Sequence, residues 1–481
     1  MTAVRRFGGW AGWSAVIWAA LLAAYPANRL AAQDTSAIDR GVRVGIIYRP
    51  GVRPGFVLLP RQRSGVDSAR AIIARDLDYS DRFEVITLPG GDSLRLGTPT
   101  AATRPATPPG RGQPTRPGTA TAPATGGGAQ GGGLNYPLFQ ALGADFALDL
   151  TLASDTLVAT LHDIMAGGVR RTIRAKLPAV GQPDFRQATH RVADQLLQAA
   201  LGSAGIAATR VLFVKDGKVY QIDQDGAEMK LVSASDRQAM SPAWASDGRR
   251  FAYMEFQAGK GQLFLQEMAS GKRTPVATTG KALDFTPAFS PDGLTLAFSR
   301  ATEEGTDLYT INVKDNCCLR RLTVGRFSDN LSPTFSPDGQ RIAFVSTRPG
   351  LPQVYVMAAD GTDQQLFAPF DYGVTGSSNA PEWSPDGQSV AFHRDVAGTL
   401  QVFVLDVRTR TVRQLTSVGR NEDPTWAPDS RHLAFVSDRS GYRQLWIIDL
   451  DTGRIRPLLQ QSGARLPAWS PRLPEATSST P

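Results

Sequence analysis

Few residues in this chain are of a type that does covalent or metal chemistry. Its 481 residues include four histidines, His162, His190, His393 and His432, and two cysteines, Cys317 and Cys318. The histidines share no ligand-like spacing and form no H-E-x-x-H, so each reads as a surface or structural residue. Cys317 and Cys318 are adjacent, which prevents them from stapling distant parts of a fold; a vicinal disulfide and a pair of thiols in a turn both fit. There is no G-x-S-x-G elbow and no Walker A loop. Asp247, Asp292, Asp338, Asp386 and Asp429 recur, but each stands in a turn-forming sequence where a carboxylate accepts backbone N–H groups. Turn chemistry explains them better than a metal. No strand leads into the Gly-rich residues 126–133, which read as linker rather than phosphate cradle. No catalytic, cofactor-binding or metal site is expected, and binding surface is what remains.

The elements that would present such a surface are set by repetition. One motif recurs six times: SPAWASDG (241–248), TPAFSPDG (286–293), SPTFSPDG (332–339), APEWSPDG (380–387), DPTWAPDS (423–430) and LPAWSPR (466–472). Its prolines, Pro242, Pro287, Pro333, Pro381, Pro424 and Pro467, are spaced 45, 46, 48, 43 and 43 residues apart. That period suits a four-stranded propeller blade of ~40–50 residues. In Ser336-Pro337-Asp338-Gly339, Pro sets φ and Gly completes a type I turn between two strands. The aromatic before each turn (Trp244, Phe289, Phe335, Trp383, Trp426, Trp469) is placed to fill the space between sheets. Too few residues follow Pro467 for a whole blade, whereas 210–232 reads as three strands lacking their motif strand. The C-terminal segment should supply that strand and close a six-bladed β-propeller over 207–473, followed by a disordered tail, 474–481.

Residues 34–206 alternate strands with amphipathic helices, predicting a small α/β domain and an α+β chain as a whole. Strands are expected at 42–48, 56–60, 83–89 and 169–178, a hairpin at 145–164, and helices at 66–80, 136–144 and 184–202. The Gly/Pro/Thr-rich stretch 98–133 reads as a disordered insert. Residues 1–32 read as a secretory signal, with Arg5-Arg6, an apolar run of about 15 residues too short for a membrane span of ~20, and cleavage near Ala32. The net charge of +8 invites a nucleic-acid reading, but six of those charges lie in the signal and the insert, so no nucleic-acid partner is expected. No integral membrane span is expected either.

In a propeller, the loops joining one blade's outermost strand to the next blade's inner strand gather at one mouth of the channel. Here they carry Arg237, Asp284, Asp329, Asn330, Asn379, Glu422, Asp423 and Arg465, the candidate partner-binding residues.

These repeats, the closing LPAWSPRL (466–473) and the stretch 55–86 resemble the TolB family, the exported component of the Tol–Pal envelope system, over nearly all of the mature chain. The resemblance implies a periplasmic, non-enzymatic scaffold without cofactors that keeps the envelope intact during division. It also implies that the propeller mouth binds Pal, a peptidoglycan-associated lipoprotein, and that the mature N-terminus, 33–44, engages a TolA-like inner-membrane protein. The other classes the sequence leaves open are an exported propeller enzyme, lyase- or lactonase-like, and a carbohydrate- or peptide-binding propeller.

Overall fold

A computed structural model of the chain describes residues 53–60, 66–86, 88, 134–234, 236–257, 260–278, 282–326, 328–370 and 376–474. The expected signal, the strand at 42–48, the insert at 98–133 and nearly all of the tail lie outside these residues.

The first sheet holds five strands in the order β2-β1-β3-β4-β5. These are β1 (Gly55–Leu58), β2 (Glu84–Ile86), β3 (Phe146–Ala153), β4 (Thr156–Asp163) and β5 (Gly168–Lys176). β1 runs parallel to β2 and β3, and β3-β4-β5 form an antiparallel meander. Three helices accompany it: α1 (Val66–Tyr79), α2 (Tyr136–Ala141) and α3 (Phe185–Leu201). α1 buries Ala69, Ile72, Ile73 and Leu77, one stripe at helical spacing. α3 buries Val192, Ala193, Leu196, Leu197 and Ala200 in the same way and ends at Gly202, whose φ of 75° suits a glycine C-cap. Both stripes share one core with Phe56, Phe83, Phe146 and Leu148 of the sheet side.

The rest forms six four-stranded antiparallel sheets, one per repeat: a six-bladed β-propeller. The inner strands of blades 1 to 6 are Gln238–Trp244, Leu283–Phe289, Asn330–Phe335, Ser378–Trp383, Asn421–Trp426 and Arg465–Trp469. Blade 6 closes the ring: Arg465–Trp469 pairs antiparallel with Arg210–Lys215, which begins the other three strands of that sheet. The motif aromatics bridge blades as expected. Trp426 Nε1 donates to the Glu382 carbonyl at 3.1 Å, and Trp244 Nε1 to the Ala468 carbonyl at 3.1 Å.

The proline of each motif has a role that the repeat pattern did not show. Every inner strand shifts register at the motif proline. The residue just before it, Ser241, Thr286, Ser332, Ala380, Asp423 or Leu466, has φ between 45° and 54°. Proline cannot donate to a ladder, and a bulge gives it a place inside a central strand. The left-handed residue before it is sterically costly in isolation, so the six bulges are held by the packed ring.

Candidate partner-binding face

The antiparallel order of each blade fixes which loops share a face. Counting strands outward from the channel, the first-to-second and third-to-fourth turns emerge at one end of the propeller. The second-to-third loops and the blade-to-blade loops emerge at the other. The motif turns belong to the first end. In blade 3, Gly339 N–H donates to the Ser336 carbonyl at 2.8 Å, and Gly339 has φ 70°, a conformation that glycine adopts without a Cβ penalty. Asp338 accepts from the Ser336 hydroxyl and from Gln340 N–H, and the hydroxyl bond holds its carboxyl below the usual range. The repeated aspartates therefore serve turns, as expected.

This first end is occupied. α1 and α3 sit on the turns of blades 5 and 6: Arg454, in the last turn of blade 5, contacts Asp78 at 2.8 Å and Asp81 at 3.0 Å. Arg456 lies over the Tyr79 ring at 4.0 Å and donates to the Gln224 side chain at 2.8 Å. Among the described residues these helix contacts lie at the first end, and the opposite end carries large apolar side chains. Val324, Val418 and Tyr442 are 78%, 62% and 68% exposed, and Phe256, Leu351 and Val396 are exposed beside them. On the propeller's occupied end Met229 and Leu294 are exposed among the described residues, Leu231 and Leu366 lie on outermost strands, and the α/β domain itself exposes Leu142, Met165, Val169 and Val180.

The sequence-predicted residues divide within this free face. Asn379, Glu422, Asp423 and Arg465 come together on the adjacent inner strands of blades 4, 5 and 6. Glu422 is held by Arg420 at 3.1 Å and Arg443 at 3.4 Å, and Arg465 is exposed. Asp423 donates its backbone N–H to His393 Nδ1 at 3.1 Å. Burial pushes the Asp423 carboxyl up to about 6 and the His393 imidazole down to about 4. A neutral ring accepting at Nδ1 fits that low value. Deeper along the same wall, burial pushes Glu382 up to about 7, although it accepts from Trp426 N–H and the Thr425 hydroxyl.

Asp284 and Asn330 lie under the surface instead. Asp284 is 1% exposed and takes a two-pronged contact from Arg300 at 2.8 and 3.2 Å. Asn330 is fully buried between Asp307 at 3.1 Å and Arg348 at 3.0 Å. Arg237 directly precedes the inner strand of blade 1, which neighbours the strand of Arg465, and is paired with Asp236 at 3.2 Å. Asp329 is held by backbone bonds to Thr347.

A profile describing the TolB beta propeller domain matches residues 198–371 and 370–475, more than half of the chain. The chain belongs to the TolB family. Two curated relatives are similar to it, both Tol-Pal system proteins TolB. One, from Bordetella pertussis, is 30% identical over 186 residues, which is 38% of this chain and 42% of that protein. The other, from Bordetella bronchiseptica, has the same identity and coverage. The chain thus matches well under half the length of these relatives. The crystal structure of TolB from Acinetobacter baumannii superposes with a TM-score of 0.68 at 22% identity, covering 88% of this chain and 98% of that one; the likeness is one of fold.

Within this TolB fold, two further places carry unusual chemistry. The histidines His190 and His432, both fully buried, lie where α1 and α3 meet the propeller, each among carboxylates. Asp76, His190 and Asp225, and likewise Asp81, His432 and Asp449, come within a metal ion's reach of one another. Arginines already occupy those carboxylates: Arg186 and Arg75 meet Asp225, Arg431 meets Asp449, and Arg454 meets Asp81. That charge balance leaves little work for a divalent cation. No sequence spacing could have found either group, because His190 and Asp76 are 114 residues apart. Separately, a cavity of about 870 Å³ between α3, β5 and the C-terminal segment is lined by Arg170, Arg171, Arg191, Asp194 and Arg472. Asp194 accepts from Ala207 and Ala208 N–H at 2.8 and 3.0 Å, tying α3 to the chain entering the propeller.

Proposed function

We propose that this protein is a non-enzymatic periplasmic scaffold of the Tol–Pal system whose free propeller face docks a Pal-like peptidoglycan-associated lipoprotein. In this role it links envelope layers and maintains outer-membrane integrity during constriction. A TolA-like inner-membrane partner would engage residues 33–44, outside the described residues. The observation that carries the reading is the uneven distribution of exposed apolar side chains. Val324, Val418 and Tyr442 stand exposed in loops of one end of the propeller, the end that also carries Asn379, Glu422, Asp423 and Arg465. Exposed apolar groups with a polar margin mark protein-docking surfaces on otherwise ordinary exteriors. Supporting it, the chain belongs to a family whose curated members carry the Tol-Pal name. Among the described residues no helix is long and apolar enough to cross a membrane.

The test is capture of the purified periplasmic part of the Pal-like lipoprotein encoded in the same genome. Val324→Asp with Val418→Asp should abolish capture while leaving the melting temperature unchanged. Leu294→Asp, at the occupied end, should leave capture intact. Equal capture by all three proteins would remove the face from the account. Asp284→Lys is a poor probe, because it would bury an amine where Arg300 expects a carboxylate.

A further inference from the structure

His190 and His432 share an arrangement that a neutral histidine does not fit. His190 Nδ1 lies 2.7 Å from Asp76 of α1, and Nε2 faces Asp223 of blade 6 at 3.7 Å. His432 Nδ1 lies 2.7 Å from Asp429 of its own turn. Its Nε2 faces Asp81, just after α1, at 3.4 Å and Asp449 at 4.0 Å. Among the described residues neither Nε2 makes a well-aligned hydrogen bond. A neutral imidazole has one donor and one lone pair, so in each case a lone pair would face a carboxylate. Doubly protonated, both nitrogens donate toward carboxylates; burial pushes the Asp76 carboxyl above its usual range, and the His190 charge beside it pulls it back down.

We propose that docking of α1 and α3 onto the propeller takes up protons at His190 and His432, so that this seam weakens as pH rises above neutral. In each case the ring sits on one side of the seam and one of its carboxylates on the other. His190 belongs to α3 and faces blade 6 through Asp223; His432 belongs to blade 5 and faces the end of α1 through Asp81. Around His190 stand Arg186 and Gln187 of α3, Arg75 and Asp76 of α1, and Arg210, Asp223 and Asp225 of blade 6. Around His432 stand Asp78, Asp81, Arg53 and Arg82 from the helical side, with Asp429, Arg431, Asp449, Asp451 and Arg454 from blade 5.

Burial works against the charged rings. The facing carboxylates outweigh it, raising His190 to about 10 and His432 above its ordinary value. A folded-state value above the unfolded one gives stability that is complete below about pH 6.5 and is lost as pH climbs toward the folded value. Each ring then changes the docking equilibrium by up to about tenfold per pH unit within that window.

The experiment is urea unfolding of the full chain from pH 8 to 9.5, at least a unit above the values of about 7, 6 and 6 to which burial pushes Glu382, Asp423 and Asp194. Wild type should lose stability with the slope of up to two extra protons bound in the folded state. His190→Gln with His432→Gln should flatten that slope. Nitrogen-15 spectra of wild type at pH 8 should show both imidazoles doubly protonated, a readout independent of whether the variant folds. Neutral rings at pH 8, or an unchanged slope in a folded double variant, would overturn the proposal. So would a zinc-dependent rise in melting temperature that the double variant lacks, since it would make these groups cation sites instead.

Discussion

At the scale of single residues, the blades are pinned by arginines that the repeat motif does not contain. Arg439 lies over Phe435 and Trp446 at 5.2 and 5.1 Å and donates to the Ser437 hydroxyl at 2.9 Å and to Asn421 at 3.0 Å. Arg348 does the same over Phe344 and Tyr355, reaching Ser346 and Asn330. Arg300 and Arg394 stack on the matching rings of blades 2 and 4. In blades 2 to 5 these guanidiniums tie the buried residue of the inner strand to the second and third strands, which is why Asp284 and Asn330 turn out to be held inside. The device is invisible as a repeat, because the arginine follows its aromatic by two residues in Arg300 and Arg394 but by four in Arg348 and Arg439. Arg439→Ala should cost about 1–3 kcal/mol in urea unfolding, from a lost ring contact and an orphaned Asn421. Arg439→Lys should recover little of it, since one ammonium cannot span the same partners. A loss below measurement error would show the clamp to be ornamental.

At the scale of elements, the sequence was legible wherever a period repeats. Both long helices appear within a residue or two of their expected bounds, because their apolar stripes at positions such as 69, 72, 73 and 77 face one core. The closure of blade 6 was legible too, from a motif strand missing at one end of the ring and present at the other. The bulges were not: Pro242 and its equivalents mark the turn region in sequence, and only the register of the inner strands shows that a left-handed residue precedes each. The seam under blades 5 and 6 was also hidden, because its partners come together only when the whole ring exists. Closure yields its own prediction. Removing residues 465–481 deletes the inner strand of blade 6 and leaves the edge of Arg210–Lys215 unpaired. Thermal unfolding should then lose its single cooperative transition, and light scattering should report association. A truncated chain that melts as one monomeric unit near the wild-type temperature would mean that the closing strand contributes little.

At the scale of the whole molecule, the propeller has two unlike ends. One is taken by α1 and α3 through the charged seam, and the other presents exposed apolar loop residues together with the polar residues Asn379, Glu422, Asp423 and Arg465 of blades 4 to 6. A net charge of +8 does not describe this surface, because most of the excess lies in residues 1–32 and 98–133. Partner docking here should accordingly depend more on apolar contact than on salt. Calorimetric titration of the Pal-like periplasmic domain into wild type and into Val418→Asp with Tyr442→Asp tests this most directly. The Kd should weaken by roughly tenfold or more in the double variant, with unchanged melting, because apolar contacts dominate such interfaces. The same Kd for both proteins would contradict it.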